Sequence, residues 1–271
     1  MNINEKKCVG CGNCHAVCVM GAISLNLNGK SVVNQDNCVE CSTCYRTLKD
    51  EGYTTSLMRA VRSVLSLFHL QYMAPVDVCP TGALEPPKLE YPRNLRATFS
   101  DPTVVHPETG IGGRGTEEIK TNDVTGRLGP GEAGIVVELG RPGTGAYFRD
   151  VQTVAMALAP LAPEFEPNNP VTQLMEDLVT GKLRGEVLDE KVISAIIEAK
   201  TILERIPDYL SALQAVQSEI DTVFSVAVAS RCLPDGSVPH QRWVAEAGYS
   251  LSPNGKTNLG LGRPLHRDVL T

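Results

Sequence analysis

The chain has 271 residues, 42% of them apolar, which is enough to bury a core and argues against global disorder. Its formal net charge of −6 argues against nucleic acid or an anionic membrane as the main partner, since both need a clustered positive field. No apolar run approaches the roughly 20 residues that span a bilayer, and "MNINEKKC" has neither an apolar signal core nor a twin arginine, so the expected location is cytoplasmic.

The first element is a cysteine cluster. Seven of the nine cysteines fall within residues 8–44. In a reducing compartment such density points to metal rather than to disulfides. Cys8, Cys11 and Cys14 follow CxxCxxC, with Cys18 four residues later, and Cys38, Cys41 and Cys44 repeat the triplet. Continuing the repeat would put a cysteine near position 48, where Leu48 stands. "AVCVMGAI" and "DVCPTGAL" share Val-Cys, two residues, Gly-Ala and an aliphatic residue, so Cys79 is the displaced eighth cysteine, set apart by an insertion. Three thiolates two residues apart wrap one face of a cuboidal cluster, and the fourth ligand must come from elsewhere in the chain. In two-cluster arrangements each distal cysteine serves the other cluster. The expectation is two 4Fe–4S clusters, one on Cys8, Cys11, Cys14 and Cys79, the other on Cys18, Cys38, Cys41 and Cys44. A pair of zinc sites or buried free thiols is the alternative, but zinc ribbons use paired CxxC knuckles rather than triplets.

On these motifs, residues 6–46 and 76–86 resemble a bacterial-type dicluster ferredoxin. The resemblance implies two pseudo-symmetric halves, each a short hairpin, a cluster loop and a helical turn. "AISLNLNGKSVVNQDN" fits a strand, an Asn-Gly turn and a second strand. Two departures stand out: Val19, not the family's proline, follows Cys18, and the second half carries the insertion. His15 and Arg46 lie close to ligand cysteines, where positive charge or a donor raises a cluster's potential; the plainer reading is ordinary exposed residues.

The insertion, near 49–75, includes "YTTSLMRAVRSVLSLFHLQYMAP", which predicts a helix of some 20 residues, about 30 Å long, capped at Thr54 or Thr55 and ended by Pro75. Arg59, Arg62, Ser66 and His69 line its polar face; Leu57, Met58, Val61, Val64, Leu65, Phe68 and Tyr72 form a wide apolar face. Such a face is usually packed on its own protein; the sharper reading is a docking surface for a redox partner. Two arginines are a thin basic face for a membrane surface.

"EPPKLEYPRNLR" reads as a linker over 86–96, and residues 100–131 as loop. Within them Gly110, Gly112 and Gly115 match GxGxxG. His106 and Pro107 interrupt the strand such a fingerprint needs, which favours a structural loop over phosphate or flavin binding, although Thr116, Glu117 and Glu118 suit a helix start. From 132 the pattern orders itself. "EAGIVVELG" predicts a strand; "FRDVQTVAMALAPLA" and "PVTQLMEDLVTG" predict helices; "KLRGEVL" predicts a short strand. "DEKVISAIIEAKTILERI" predicts an amphipathic helix from Asp189, broken by Pro207; "DYLSALQAVQSEI" predicts a further helix and "DTVFSVAVAS" a closing strand. Arg114, Arg141 and Arg149 are candidate carboxylate or phosphate holders, against a reading as surface arginines. Cys232 is left over and reads as an inert or small packing cysteine rather than a reactive thiol or an extra metal ligand. The tail, with Trp243, reads as irregular.

The expected class is α+β: a dicluster ferredoxin domain with a helical insertion at 1–86, a linker and Gly-rich region at 87–131, an α+β sandwich at 132–231, compatible with a ferredoxin-like plait, and a tail at 232–271. Nothing supplies paired catalytic carboxylates or a nucleophile–base pair, so the expected role is single-electron transfer within a larger oxidoreductase, with a redox partner or catalytic subunit and a homo- or hetero-oligomeric state. A ferredoxin-fed reductase binding a small acidic substrate or flavin, and a redox-sensing binding module, are the alternatives. Each oxidised four-thiolate cluster adds about −2, taking the loaded protein to about −10 and steering it toward a positive partner patch.

Overall fold

The computed structural model describes residues 1–45, 55–69, 78–113, 115, 126–141 and 143–252. The chain is mixed α+β and divides into two compact units, Met1–Ala97 and Thr98–Thr271.

The first unit is built from short pieces. β1 (Asn2–Ile3) pairs antiparallel with β4 (Leu84–Glu85), so the two ends of the cysteine region meet. Between them come the helical turn α1 (Asn13–Ala16) and the hairpin of β2 (Ile23–Leu25) and β3 (Ser31–Val33). The hairpin turn lies where the Asn28-Gly29 pair predicts it, closed by the Asn26 amide on the Lys30 carbonyl at 2.8 Å. Met1, Cys14, Ile23 and Leu84 form a small core, with Ile3, Val33 and several cysteines packed on it.

Helix α2 (Thr55–Leu67) realises the predicted insertion helix but has 13 residues rather than some 20. It stops well before Pro75, and His69, at φ 55°, takes the left-handed conformation that ends helices. Its apolar stripe is not packed away: Leu57, Val64, Leu67 and Phe68 are exposed, Val61 and Leu65 half-buried. Thr54, Tyr72 and Pro75 lie outside the described residues. Helix α3 (Asn94–Ser100) follows, and the division between the units falls within it.

The second unit centres on a four-stranded antiparallel sheet in the order β12-β5-β11-β7. Its strands are β5 (Glu132–Leu139), β7 (Glu164–Phe165), β11 (Ala195–Ile202) and β12 (Phe224–Ser230). Helix α4 (Phe148–Leu158) lies between β5 and β7 in the chain, and α6 (Ile206–Val216) between β11 and β12; the two helices pack on each other, α4 against β11 and α6 against β5. Alternate residues of a strand point to opposite faces. Ala133, Ile135, Val137 and Leu139 line one face of β5 and are fully buried; Val136 on the other packs with Ile196 and Leu128. β6 (Ala146–Tyr147) pairs with β10 (Lys191–Val192), and α5 (Pro170–Gln173) precedes a hairpin of β8 (Met175–Asp177) and β9 (Lys182–Leu183). Among the described residues no helix is long and apolar enough to cross a membrane.

Four expectations fail here. The helix predicted from Asp189 is strand β11. Val192, Ile193, Ile196 and Ile197 satisfy a three-and-four spacing, but Ala195, Ile197 and Ala199 face one side and Ile196, Glu198 and Lys200 the other. Pairing with both β5 and β7 then decides the conformation. Pro207 does not break a helix; it sits in the first turn of α6, where its missing N–H costs nothing. "PVTQLMEDLVTG" is helical only over α5 before it turns into β8. The tail is not wholly irregular: α7 (His240–Glu246) carries Trp243, with Arg242 over its ring at 5.0 Å.

Candidate metal centre

The two cysteine loops begin alike. The Cys8 amide bonds the Asn4 carbonyl at 3.0 Å, and the Cys38 amide bonds the Asn34 carbonyl at 3.1 Å. They also end alike. The Ala22 amide points at Cys18 Sγ at 3.2 Å, and the Ala83 amide at Cys79 Sγ at 3.1 Å. In each case a glycine amide closes the preceding turn on the cysteine carbonyl, Gly21 on Cys18 and Gly82 on Cys79. The shared Val-Cys-x-x-Gly-Ala pattern is therefore a local device: the turn brings one amide back onto the sulfur and buries the alanine behind it, Ala22 and Ala83 being 2% exposed each.

The eight cysteines separate into two groups of four. Cys8, Cys11, Cys14 and Cys79 line a cavity of about 300 Å³ with Ser31 and Ala83. Cys18, Cys38, Cys41 and Cys44 line a second, of about 380 Å³, walled by Met1 and Ile23. In each, three thiols come from one triplet and the fourth from the end of the other half. Among the described residues no three His, Cys, Asp or Glu side chains converge as a single ion requires. The thiols instead ring a volume, and that is the arrangement a cluster needs.

The donor chemistry fits a polynuclear iron–sulfur group. Backbone amides from Ser31, Ala22 and Ala83 aim at Cys8, Cys18 and Cys79. Side-chain hydroxyls supply more: Cys14 lies 3.4 Å from Ser31 Oγ, Cys41 3.3 Å from Thr43 Oγ1 and Cys79 3.6 Å from Thr81 Oγ1. As thiols, Cys14 and Cys41 donate to these oxygens; as thiolates they accept, and the hydroxyls turn round. Hydrogen bonding to the charged form favours it. The Ser31 amide thus draws the Cys8 thiol down. Burial works to raise Cys79, but the Ala83 amide and Thr81 outweigh it and the net direction is down. Burial pushes Cys14 and Cys38 up. Cys44 goes furthest, to about 12, through burial and then the neighbouring Cys41, Cys38 and Cys18 charges. Four thiolates so placed repel one another, and only a strongly positive metal core makes the full set favourable.

The halves differ in how the loops are held. Gly10 and Gly12 stand at φ 69° and 77°; their counterparts by position, Glu40 and Ser42, stand at 53° and 56° without being glycine. A left-handed non-glycine residue costs about 1–2 kcal/mol. At Gly10 no side chain fits at all, since a Cβ would fall 2.2 Å from the Gly29 carbonyl oxygen. In the second loop Glu40 is 3% exposed and pairs with Arg93, whose Nη2 lies 2.7 Å from Oε1, and with the Met1 amino group. A cation also bonds the carbonyl of each leading cysteine: Lys30 Nζ on Cys8 at 2.5 Å, and Arg96 Nη1 on Cys38 at 2.9 Å.

His15 is half-buried and bonds Ser31 Oγ at 3.1 Å, so it supports the first cavity's wall rather than lying in solvent. Arg46 and Arg114 lie outside the described residues, as do Thr116, Glu117 and Glu118. The described part of the Gly-rich stretch is a turn closed by the Val105–Gly112 bridge and wrapped round His106, whose Nε2 lies 3.1 Å from the Gly113 carbonyl. Arg149 is stacked on Tyr147 at 3.7 Å and bonded to Asp189 at 3.2 Å; Arg141 is exposed. Cys232 is exposed in the second unit. Ser31, Lys30, Glu40, Arg93 and Arg96 were not picked out by sequence. Only Lys30, next to the Asn-Gly turn, and Glu40, in a slot the first half gives to glycine, left a signal there.

A family model described as a 4Fe-4S dicluster domain matches residues 1–47. No curated protein and no solved structure matches the chain. The N-terminal unit therefore carries a ferredoxin-like iron–sulfur module with an electron-transfer role. The match ends short of Cys79 and says nothing of the second unit. A bound 4Fe–4S cluster supplies one-electron chemistry; the chain supplies ligands, hydrogen bonds and charge.

Proposed function

We propose that the chain is an electron-transfer subunit of a larger oxidoreductase and holds two 4Fe–4S clusters. Cys8, Cys11, Cys14 and Cys79 hold one; Cys18, Cys38, Cys41 and Cys44 hold the other. The observation that carries this reading is the pair of cavities, each walled by a triplet and by the distal cysteine of the opposite half. Hydrogen bonds to the sulfurs and the surrounding charge set the potentials. The exposed Leu57, Val64, Leu67 and Phe68 on and just beyond α2 support a subunit role, because a free shuttle has no need of an apolar helical face added to its cluster domain. The second unit is read as a ferredoxin-like plait, supported by the antiparallel order β12-β5-β11-β7 with one helix in each crossover.

Anaerobic purification from the native host tests the whole reading. About eight irons per chain and two interacting reduced-cluster signals in EPR are expected, with a catalytic chain in the same fractions. Cys79→Ser is expected to lose about half the iron. Zinc in place of iron sinks the cluster reading. Isolation only as a free monomer sinks the subunit reading.

A further inference from the structure

We infer that Arg93 and Arg96, in the segment that reads as a linker, are positioning residues that hold the second cysteine loop and raise the potential of the cluster on Cys38, Cys41, Cys44 and Cys18. This rests on the two-cluster reading.

Arg96 is 5% exposed, unusual for an arginine, and its Nη1 lies 3.0, 2.9 and 2.9 Å from the carbonyl oxygens of Gln35, Asp36 and Cys38. Those carbonyls form the turn that delivers Cys38. Arg93 reaches the same turn, with Nη1 on the Gln35 carbonyl at 3.2 Å and Nη2 on its side-chain oxygen at 2.7 Å. It also grips Glu40, with Nε at 3.1 Å and Nη2 at 2.7 Å from Oε1, one guanidinium edge donating to one carboxylate oxygen. Glu40 lies between Cys38 and Cys41 and lines their cavity.

The first loop gets its shape from glycine. The second holds two left-handed non-glycine residues, a conformation that persists only where surrounding contacts over-determine it. Arg93 on the Glu40 carboxylate and Arg96 on the Cys38 carbonyl are such contacts at the head of that loop. They come from residues 93–96, so the second loop is complete only when the chain has returned past Cys79. The first loop has a counterpart in Lys30, which sits in the hairpin between β2 and β3 and donates to the Cys8 carbonyl.

The charges have a sign. Arg93, Arg96 and the Met1 amino group bring three positive charges to a loop whose buried carboxylate is Glu40. Positive charge beside a cluster stabilises the reduced, more negative state. Burial keeps solvent from screening it.

The test uses the full chain, loaded anaerobically, with iron content and both midpoint potentials read by EPR-monitored titration. Arg96→Gln is expected to shift one midpoint to more negative values and leave the other in place. Lys30→Gln is expected to move the other one, which assigns the pair. Glu40→Gln is expected to shift the Arg96-sensitive midpoint the opposite way, to more positive values; a purely structural role does not produce that reversal. Arg96→Lys, which keeps the charge, is expected to restore most of the potential. If Arg96→Gln loses iron, loss from one centre with the other midpoint unmoved supports the assignment. Both midpoints staying put, both moving together, or iron lost equally from both centres overturns it. Wild-type chain that takes up no iron, or only one cluster, defeats the two-cluster reading instead and is seen before any variant is made.

Discussion

The two units of this chain are held together by different physics. The second unit buries continuous apolar surface: every inward residue of one face of β5 is fully buried, and so are Val151, Val154 and Leu158 of α4 and Ile206 and Leu213 of α6, or nearly so. The first has four buried core residues in its cluster, two-residue strands and two thiol-lined cavities where a core would otherwise be. Domains too small for a sufficient apolar core need staples. In the proposed reading the staple is metal, with ligands spread from Cys8 to Cys79. On that reading structure in the first unit is expected to depend on occupancy of the cavities; in the second it depends on packing.

Metal removal is the largest expected effect and separates the units directly. Stripping iron under anaerobic chelation is expected to abolish amide-exchange protection across residues 1–45 and 78–85, because metal binding and folding are one process in such modules. Protection of β5 and β11 is expected to survive. Equal loss in both units would break the contrast. Next in size is a cavity in the apolar core. Leu158→Ala removes a fully buried side chain from α4 and is expected to cost about 2–5 kcal/mol in the thermal transition of the second unit. Iron content should stay that of wild type.

Backbone conformation gives a smaller and sharper pair. Gly10→Ala puts a Cβ against the Gly29 carbonyl, backbone on backbone, with no side chain able to yield. It is expected to destabilise the first cysteine loop by about 2 kcal/mol or more, drawing on strained-backbone costs, and to lower iron retention. Ser42→Gly at φ 56° goes the other way and is expected to slow iron loss to a chelator, with a gain of at most about 1 kcal/mol. A Ser42→Gly chain that loses iron faster than wild type would show that the second loop is not strained.

Legibility in the sequence followed the same divide. The turn after the last cysteine of each half is local and repeats, so matching "VCVMGAI" to "VCPTGAL" pairs Cys18 with Cys79 from sequence, and the structure gives that match its cause in the Ala22 and Ala83 amides. The hairpin at Asn28-Gly29 was readable because its turn demands those residues. The supports were not readable. Arg93 and Arg96 reach across more than fifty residues of sequence, largely to backbone carbonyls that carry no side-chain signature. β11 was misread because its apolar spacing fits a helix as well as a strand, and only its neighbours choose between them. The reason for Gly115 in the GxGxxG stretch appears only in three dimensions: at φ 72° it lies against the His106 ring, and a Cβ there would meet that ring at 2.4 Å.

His106 also gives the second unit an acid sensitivity of its own, the smallest of these effects. The ring is 1% exposed, edge-on to Phe99 at 4.7 Å, with Nε2 on the Gly113 carbonyl. Burial disfavours the charged imidazolium and holds His106 below the ordinary value of 6.5, with the Gly113 carbonyl and then Glu108 pulling the other way. His240, bonded to Ser230 Oγ at 2.7 Å, is lowered for the same reason. A folded-state value below the unfolded one means that the unfolded chain binds more protons in acid, so stability is full above about pH 6.5 and falls as the pH drops toward the folded values. The melting temperature of the second unit is therefore expected to decline from pH 7.5 to pH 5. His106→Gln, which does not titrate, is expected to melt lower at neutral pH, because it gives up the ring packing on Phe99, but to show a shallower decline. Parallel declines in wild type and His106→Gln would place the acid response elsewhere, with His240→Gln the next substitution to compare.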